Sequence, residues 1–310
     1  MLSKLFRRLL LTQFLSGALL GWYIGRAWTD TPWQVAACTL GVGLAMPYLL
    51  MLLLTGTTVL RSRPPGGHAR PWRLLGCEYV ANCRVFIGRQ PWAWAPPVFS
   101  PAPSGVTARV PVLLVHGYLC NHRAWDSLMG PLASAGHPVL RVDLEPIFTS
   151  IDDYAPLLQA AVDRLCQQTG AKEVALVGHS MGGLVIRAWM RAHGTQRVAR
   201  VITLGSPHAG TLADRHPFTP NGKQMLWRSD WLHTLGKSES AATRRRMRLG
   251  LSPSDNVVYP QLEQVLAGAP VTVFDGLGHV ELSLNKRVIQ WVLQQLDDTP
   301  DGASANGIGV

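Results

Sequence analysis

The chain has 310 residues, 47% hydrophobic and 15% charged, with a formal net charge of +10, enough length for one core of ordinary size and an appendage. The basic residues are mostly arginine and cluster at 61–73 and 237–248, with no zinc-finger spacing or nucleic-acid fold signature beside them. That pattern excludes nucleic acid as a partner and points to an anionic membrane surface.

Two uncharged apolar runs open the chain, at residues 9–25 and 31–60. A helix needs about 20 residues to cross a bilayer of roughly 30 Å, so the second run is ample and the first short. No small-x-small cleavage site precedes Arg26, and Trp22, Tyr23 and Trp28 have the placing of interfacial aromatics, which argues against a cleaved signal peptide. Residues 1–60 are therefore expected to form a transmembrane helical hairpin. Lys4, Arg7 and Arg8 precede the first run, and Arg61, Arg63, Arg70 and Arg73 follow the second, while the connection holds only Arg26 against Asp30. Positive flanks stay inside. The expectation is the inner membrane of a bacterium-like cell, with the rest of the chain in the cytoplasm. Five scattered cysteines give no disulfide framework; Cys77 and Cys83 are near enough to bridge, but reduced thiols are expected.

Residues 61–104 read as a basic, Pro-rich linker with a juxtamembrane helix over 72–90. From residue 105 to 296 apolar strand-like runs alternate with helical patterns. Strands are expected at 112–115, 139–142, 174–177, 201–204 and 271–274, with a further one at 247–251. Helices are expected at 124–135, 154–168, 183–192 and 284–296. Short, almost wholly apolar strands between helices indicate a parallel sheet covered on both faces, an α/β fold. Residues 297–310 are small, polar and Gly-rich, and are expected to form a disordered tail.

Gly178-His179-Ser180-Met181-Gly182 carries the pattern G-x-S-x-G between an expected strand and an expected helix. The bare pattern is weak, and a glycine turn without chemistry would look the same locally. Its context makes Ser180 a candidate nucleophile, because strand and helix must approach closely where the turn lifts a serine clear of the sheet. Val115-His116-Gly117-Tyr118 ends an earlier strand. Acyl transfer puts negative charge on the former carbonyl oxygen, and losing one waiting N–H donor costs about 3–4 kcal/mol. The backbone amides of Tyr118 and Met181 are the candidate pair. Of the ten histidines, His279 alone follows a late strand within a glycine loop, Gly276-Leu277-Gly278-His279, and is the candidate base. The others read as packing or loop-bonding residues (His116, His179, His208) or as surface and linker residues, His122 and His137 among these. An acid between serine and histidine in chain order is needed; Asp214, Asp230, Asp255 and Asp275 qualify, and Asp255, in a turn after the strand at 247–251, fits best.

These segments, with Gly205-Ser206-Pro207-His208-Ala209-Gly210-Thr211 and Ser254-Asp255-Asn256-Val257-Val258, make residues 110–296 resemble bacterial triacylglycerol lipases and related esterases of the α/β-hydrolase superfamily. The resemblance implies an α/β-hydrolase fold and a Ser180–His279–Asp255 triad with Tyr118 and Met181 at the oxyanion. It also implies hydrolysis of carboxylic esters, acyl or lipid, without a cofactor. No calcium-binding acidic cluster is legible, so no metal is expected. Residues 212–248 stand where such enzymes carry a lid or cap, and its apolar patch makes Trp227 and Trp231, with His116, candidates for substrate contact. An ordinary cap helix folded on the sheet accounts for the patch equally well. The same groups serve an acyltransferase or a thioesterase, and a catalytically silent membrane scaffold is the reading from another class. Since no candidate catalytic group lies in residues 1–60, the remainder is expected to act alone on short soluble esters.

Overall fold

The computed structural model describes residues 1–63, 70–214 and 216–298. The chain opens with two long helices, α1 (Leu2–Trp28) and α2 (Pro32–Ser62), followed by α3 (Pro71–Asn82). Then come β1 (Val112–Val115), α4 (Asp126–Ser134), β2 (Val139–Arg141), α5 (Ala155–Thr169), β3 (Val174–His179), α6 (Met181–His193) and β4 (Val198–Leu204). Three short helices follow, α7 (Pro220–Gln224), α8 (Asp230–Lys237) and α9 (Ala241–Arg245), before β5 (Met247–Leu251), β6 (Val271–Val273) and α10 (Lys286–Asp297). Most of the expected tail, from residue 299 on, and part of the expected linker, 64–69, lie outside the described residues.

The six strands form one parallel sheet in the order β2-β1-β3-β4-β5-β6. Side chains alternate across each strand. Leu113 and Val115 of β1 meet α5 and α6 through Leu158, Val162, Leu184 and Trp189 on one face. Val112 and Leu114 meet α4 and α10 through Leu128, Leu132, Val288 and Val292 on the other. β1, β3 and β4 are buried throughout, as strands covered on both faces must be. β6 departs from expectation: as the sheet edge it leaves Val271 and Val273 exposed among the described residues.

α1 and α2 pack side by side and antiparallel. Three glycines one helical turn apart make the contact. A Cβ on Gly21 would stand 2.3 Å from the Cys38 carbonyl oxygen, one on Gly17 2.7 Å from the Met46 Cβ, and one on Gly25 2.9 Å from the Val35 Cα. Small residues at this spacing let two backbones touch, as in packed membrane helices. α2 is long and apolar enough to cross a membrane, with a mean hydropathy of 2.0 over a window that is only 6% buried, so it is not a core helix. The five cysteines are free thiols.

Gly21→Leu forces α1 off the Cys38 carbonyl and should lower the thermal midpoint by about 3–10 °C, from the usual cost of overpacking. Gly56→Leu, at a position with open space around it, should shift it by about a degree at most. Equal midpoints for the two variants in detergent-solubilised protein would refute this packing.

Candidate active site

β3 ends at His179 and α6 begins at Met181, leaving Ser180 between them at φ 56° and ψ −128°. A residue with a Cβ pays for that conformation unless its surroundings impose it. They do so here: the Ser180 N–H donates to the Leu204 carbonyl at 2.9 Å, pinning the turn to the end of β4. Close approach makes the neighbouring glycines obligatory, since a Cβ on Gly182 would lie 2.2 Å from the Val115 carbonyl oxygen.

Met181 is the first residue of α6, so its N–H has no acceptor within its own helix. Tyr118 follows Gly117 after β1 and lines the same cavity as Ser180. His116 secures that loop: its Nδ1–H donates to the Gly117 carbonyl at 2.9 Å, and its Nε2 accepts the Leu144 N–H at 3.0 Å. Burial depresses its pKa, so the ring stays neutral. His116 does not line the cavity.

His279 Nδ1–H donates to Asp255 Oδ2 at 2.8 Å, which leaves Nε2 as the basic nitrogen. The other Asp255 oxygen accepts the N–H groups of Val257 and Val258 at 2.9 and 2.7 Å. Burial disfavours the imidazolium, but the Asp255 charge, its hydrogen bond and Glu78 outweigh burial and raise the His279 pKa. The His279 N–H is held by Asn256 Oδ1 at 3.0 Å, and its carbonyl accepts the Nε2–H of His179 at 2.9 Å. Burial, then the neighbouring His279, push His179 down to about 3, so it is neutral. Asp214, Asp230 and Asp275 are exposed, and the buried carboxylate bonded to the His279 ring is that of Asp255. No hydrogen bond joins Ser180 to the His279 ring among the described residues; both line the same cavity, and such bonds are often long before substrate arrives.

Glu78 was not singled out from the sequence. It is fully buried on α3, and its carboxylate accepts the N–H groups of Val280 and Glu281 at 2.9 and 3.0 Å, directly after His279. Gly278 permits this, since a Cβ there would lie 2.3 Å from Glu78 Oε2. Burial raises Glu78 to about 7, against the pull of those two amides and His279. One signal was available: Glu78 is the single carboxylate between Asp30 and Asp126.

Further bonds run the same way. Asn256 Nδ2 donates to Thr58 Oγ1 at 2.8 Å, Asn82 Nδ2 to Thr55 Oγ1 at 3.1 Å, and Gln261 Nε2 to the Ser62 carbonyl at 3.3 Å and the Asp255 carbonyl at 2.9 Å. Gln90, buried, accepts the Asn121 N–H at 2.6 Å behind the Tyr118 loop. Residues 70–92, expected as a linker and a juxtamembrane helix, pack against the loops that carry His279 and Tyr118. A cavity of about 470 Å³ beside Ser180 and His279 is walled by Phe6, Leu9 and Leu10 of α1 and by Leu50, Met51 and Leu54 of α2. The helices expected to be a detachable anchor form part of the site.

The cap residues lie elsewhere. The Trp231 Nε1–H donates to Asp152 at 2.8 Å, Trp227 lies beneath Arg228 at 5.1 Å, and neither lines the cavity. Arg187 of α6 forms a buried ion pair with Glu239 at 2.5 Å, and Arg244 joins it at 3.2 Å, so the cap is fastened to α6. His122 and His137, expected at the surface, are buried, His122 against Asp143 at 3.0 Å and His137 against the Val110 carbonyl at 2.8 Å.

The alpha/beta hydrolase fold family matches residues 110–235. Over 126 residues the chain is 35% identical to a triacylglycerol lipase of Burkholderia plantarii, covering 38% of this chain and 35% of that one. Over 112 residues it is 37% identical to a triacylglycerol lipase of Pseudarthrobacter phenanthrenivorans, covering 33% and 34%. The chain thus spans about a third of the length of these relatives. The mature form of a lipase from Bacillus licheniformis superposes at a TM-score of 0.54 and 18% identity, over 64% of this chain and 97% of that one. The sheet order and this superposition make the fold that of the α/β hydrolases.

The Glu78 carboxyl sets a pH test. The folded state keeps a proton that the unfolded state releases near 4.5, so stability falls as pH rises from there to about 7. Taking that proton off costs on the order of 3 kcal/mol. Glu78→Gln removes this dependence. The thermal midpoint of the wild type minus that of the variant should therefore shrink from pH 5 to pH 8, and a constant or growing difference would contradict it.

Proposed function

We propose that the chain is a serine hydrolase that cleaves carboxylic esters of acyl or lipid type. The observation that carries this is the buried 2.8 Å hydrogen bond from His279 to Asp255, placed on the same cavity as a serine held in a strained turn. Ser180 Oγ attacks the ester carbonyl while His279 Nε2 takes its proton, and Asp255 holds the ring and stabilises the imidazolium that forms. The Tyr118 and Met181 N–H groups receive the oxyanion. Collapse of the tetrahedral species expels the alcohol, protonated by His279, and leaves an acyl group on Ser180. Water then attacks that acyl group, giving its proton to His279, and the acid departs as Ser180 recovers its hydrogen. An alcohol in place of water would make the same site an acyltransferase.

α1 and α2 together are read as a membrane hairpin. Lys4 and Arg7 on one side and Arg61 and Arg63 on the other stand at the domain end of the pair, with the Thr29–Thr31 turn at the far end. Positive flanks on one side favour a cytoplasmic hydrolase domain.

Ser180→Ala should lower ester turnover by about 10⁶-fold and abolish labelling by a fluorophosphonate probe. Retention of a few per cent of the wild-type rate in clean protein, or an unlabelled wild type, would rule out the nucleophile. Asp255→Asn should lower turnover by roughly 10³–10⁴-fold and Asp275→Asn should not; the reverse ranking would reassign the acid. For topology, a C-terminal fluorescent-protein fusion should light up and an alkaline phosphatase fusion stay silent, and the opposite pattern places the domain outside.

A further inference from the structure

The cavity beside Ser180 is lined by both N-terminal helices, at the end of the pair opposite the Thr29–Thr31 turn. At their far end the glycine contacts hold α1 and α2 backbone to backbone. Nearer the sheet the residues that line the cavity are large, Phe6, Leu9 and Leu10 of α1 and Leu50, Met51 and Leu54 of α2. Its lining is mostly apolar; beside Ser180 and His279, α1 and α2 add only Gln13, Thr55 and Thr58 as polar residues.

Its mouth is marked by residues that both line the cavity and face outward: Leu9, Leu50 and Leu54 are 48%, 39% and 58% exposed. The outer face around them continues in leucine, with Leu11, Leu49 and Leu53 also exposed. In water such a rim is a costly apolar patch. Against hydrocarbon it costs nothing, and α2 is the helix long and apolar enough to meet hydrocarbon.

We infer that this cavity is the acyl-chain site of the enzyme, with α1 and α2 as its outer wall, and that lipid esters enter it sideways from the bilayer between the two helices. The inference rests on the ester-hydrolase reading for the reaction, but not for the binding. A chain moving from lipid into this cavity leaves one apolar medium for another, so the wall selects by length and shape. For esters dispersed in water the same wall adds affinity, roughly fourfold for each methylene it buries.

Two measurements on the full-length protein test it. In lipid nanodiscs, Ser180→Ala protein is irradiated with a long-chain acyl ester bearing a diazirine near the end of its chain, and the adducts are mapped. Adducts on residues 6–13 and 47–58 are expected. Adducts confined to the cap, residues 212–246, would overturn the proposal. This readout needs no turnover, so adducts on the helices with a wild type inert toward every ester would sink the hydrolase reading and keep the binding site. In the second measurement, Leu50→Trp fills the cavity. It should lower the ratio of kcat/KM for dodecanoyl over butanoyl esters by at least about tenfold. Leu52→Trp, on the same helix and not lining the cavity, should leave that ratio within about twofold. An unchanged ratio in Leu50→Trp, or the same change in Leu52→Trp, overturns the assignment of the wall.

Discussion

Asp255 is 2% exposed, with one carboxylate oxygen on His279 and the other on two backbone amides. A charge held that deeply must keep all its partners, because removing one from a buried pair costs about 3–5 kcal/mol. Water has to be excluded from the pair, and the sheet alone does not exclude it. The cover comes from the first ninety residues: Glu78 beneath the backbone that follows His279, Thr58 on Asn256, and Ser62 on Gln261. The His279–Asp255 pair and the N-terminal helices are one structural unit for this reason.

Close backbone approach governs both halves of that unit. At the serine turn, Gly182 sits under the Val115 carbonyl and Gly117 against Ser180, so strand, loop and helix converge around the serine. In the helix pair, Gly17, Gly21 and Gly25 bring α1 onto α2 and then give way to bulky residues. Backbone contact at one end and large cavity-lining side chains at the other make the helix pair the wall of a cavity. The cap, where lipase-like chains are expected to meet substrate, is instead fastened to α6 by the buried Arg187–Glu239 pair and takes no part in that wall.

Much of this was legible along the chain because its physics is local. Strands buried on both faces must be apolar throughout, so β1, β3 and β4 announced the parallel sheet. The serine turn demands glycines within five residues, and Asp255 and His279 each follow a strand, where this topology gathers side chains at one sheet edge. β6 misled: Val271 and Val273 have a buried strand's composition but lie at the sheet edge, which no local pattern reports.

What escaped the sequence was every partnership spanning long separations. His122 and His137 carry no local mark of burial, yet Asp143 and the Val110 carbonyl enclose them. Glu78 lies 201 residues before His279 and Thr58 lies 198 before Asn256, and neither pairing has a period or motif that would bring it to notice. The order of residues along the chain determined that the first sixty residues are apolar helices and that residues 105–296 form a parallel α/β sheet with a serine turn. Only the tertiary structure decided that those helices fold back over the sheet edge, because burial of a charged pair is a property of the space around it and not of its neighbours in the chain.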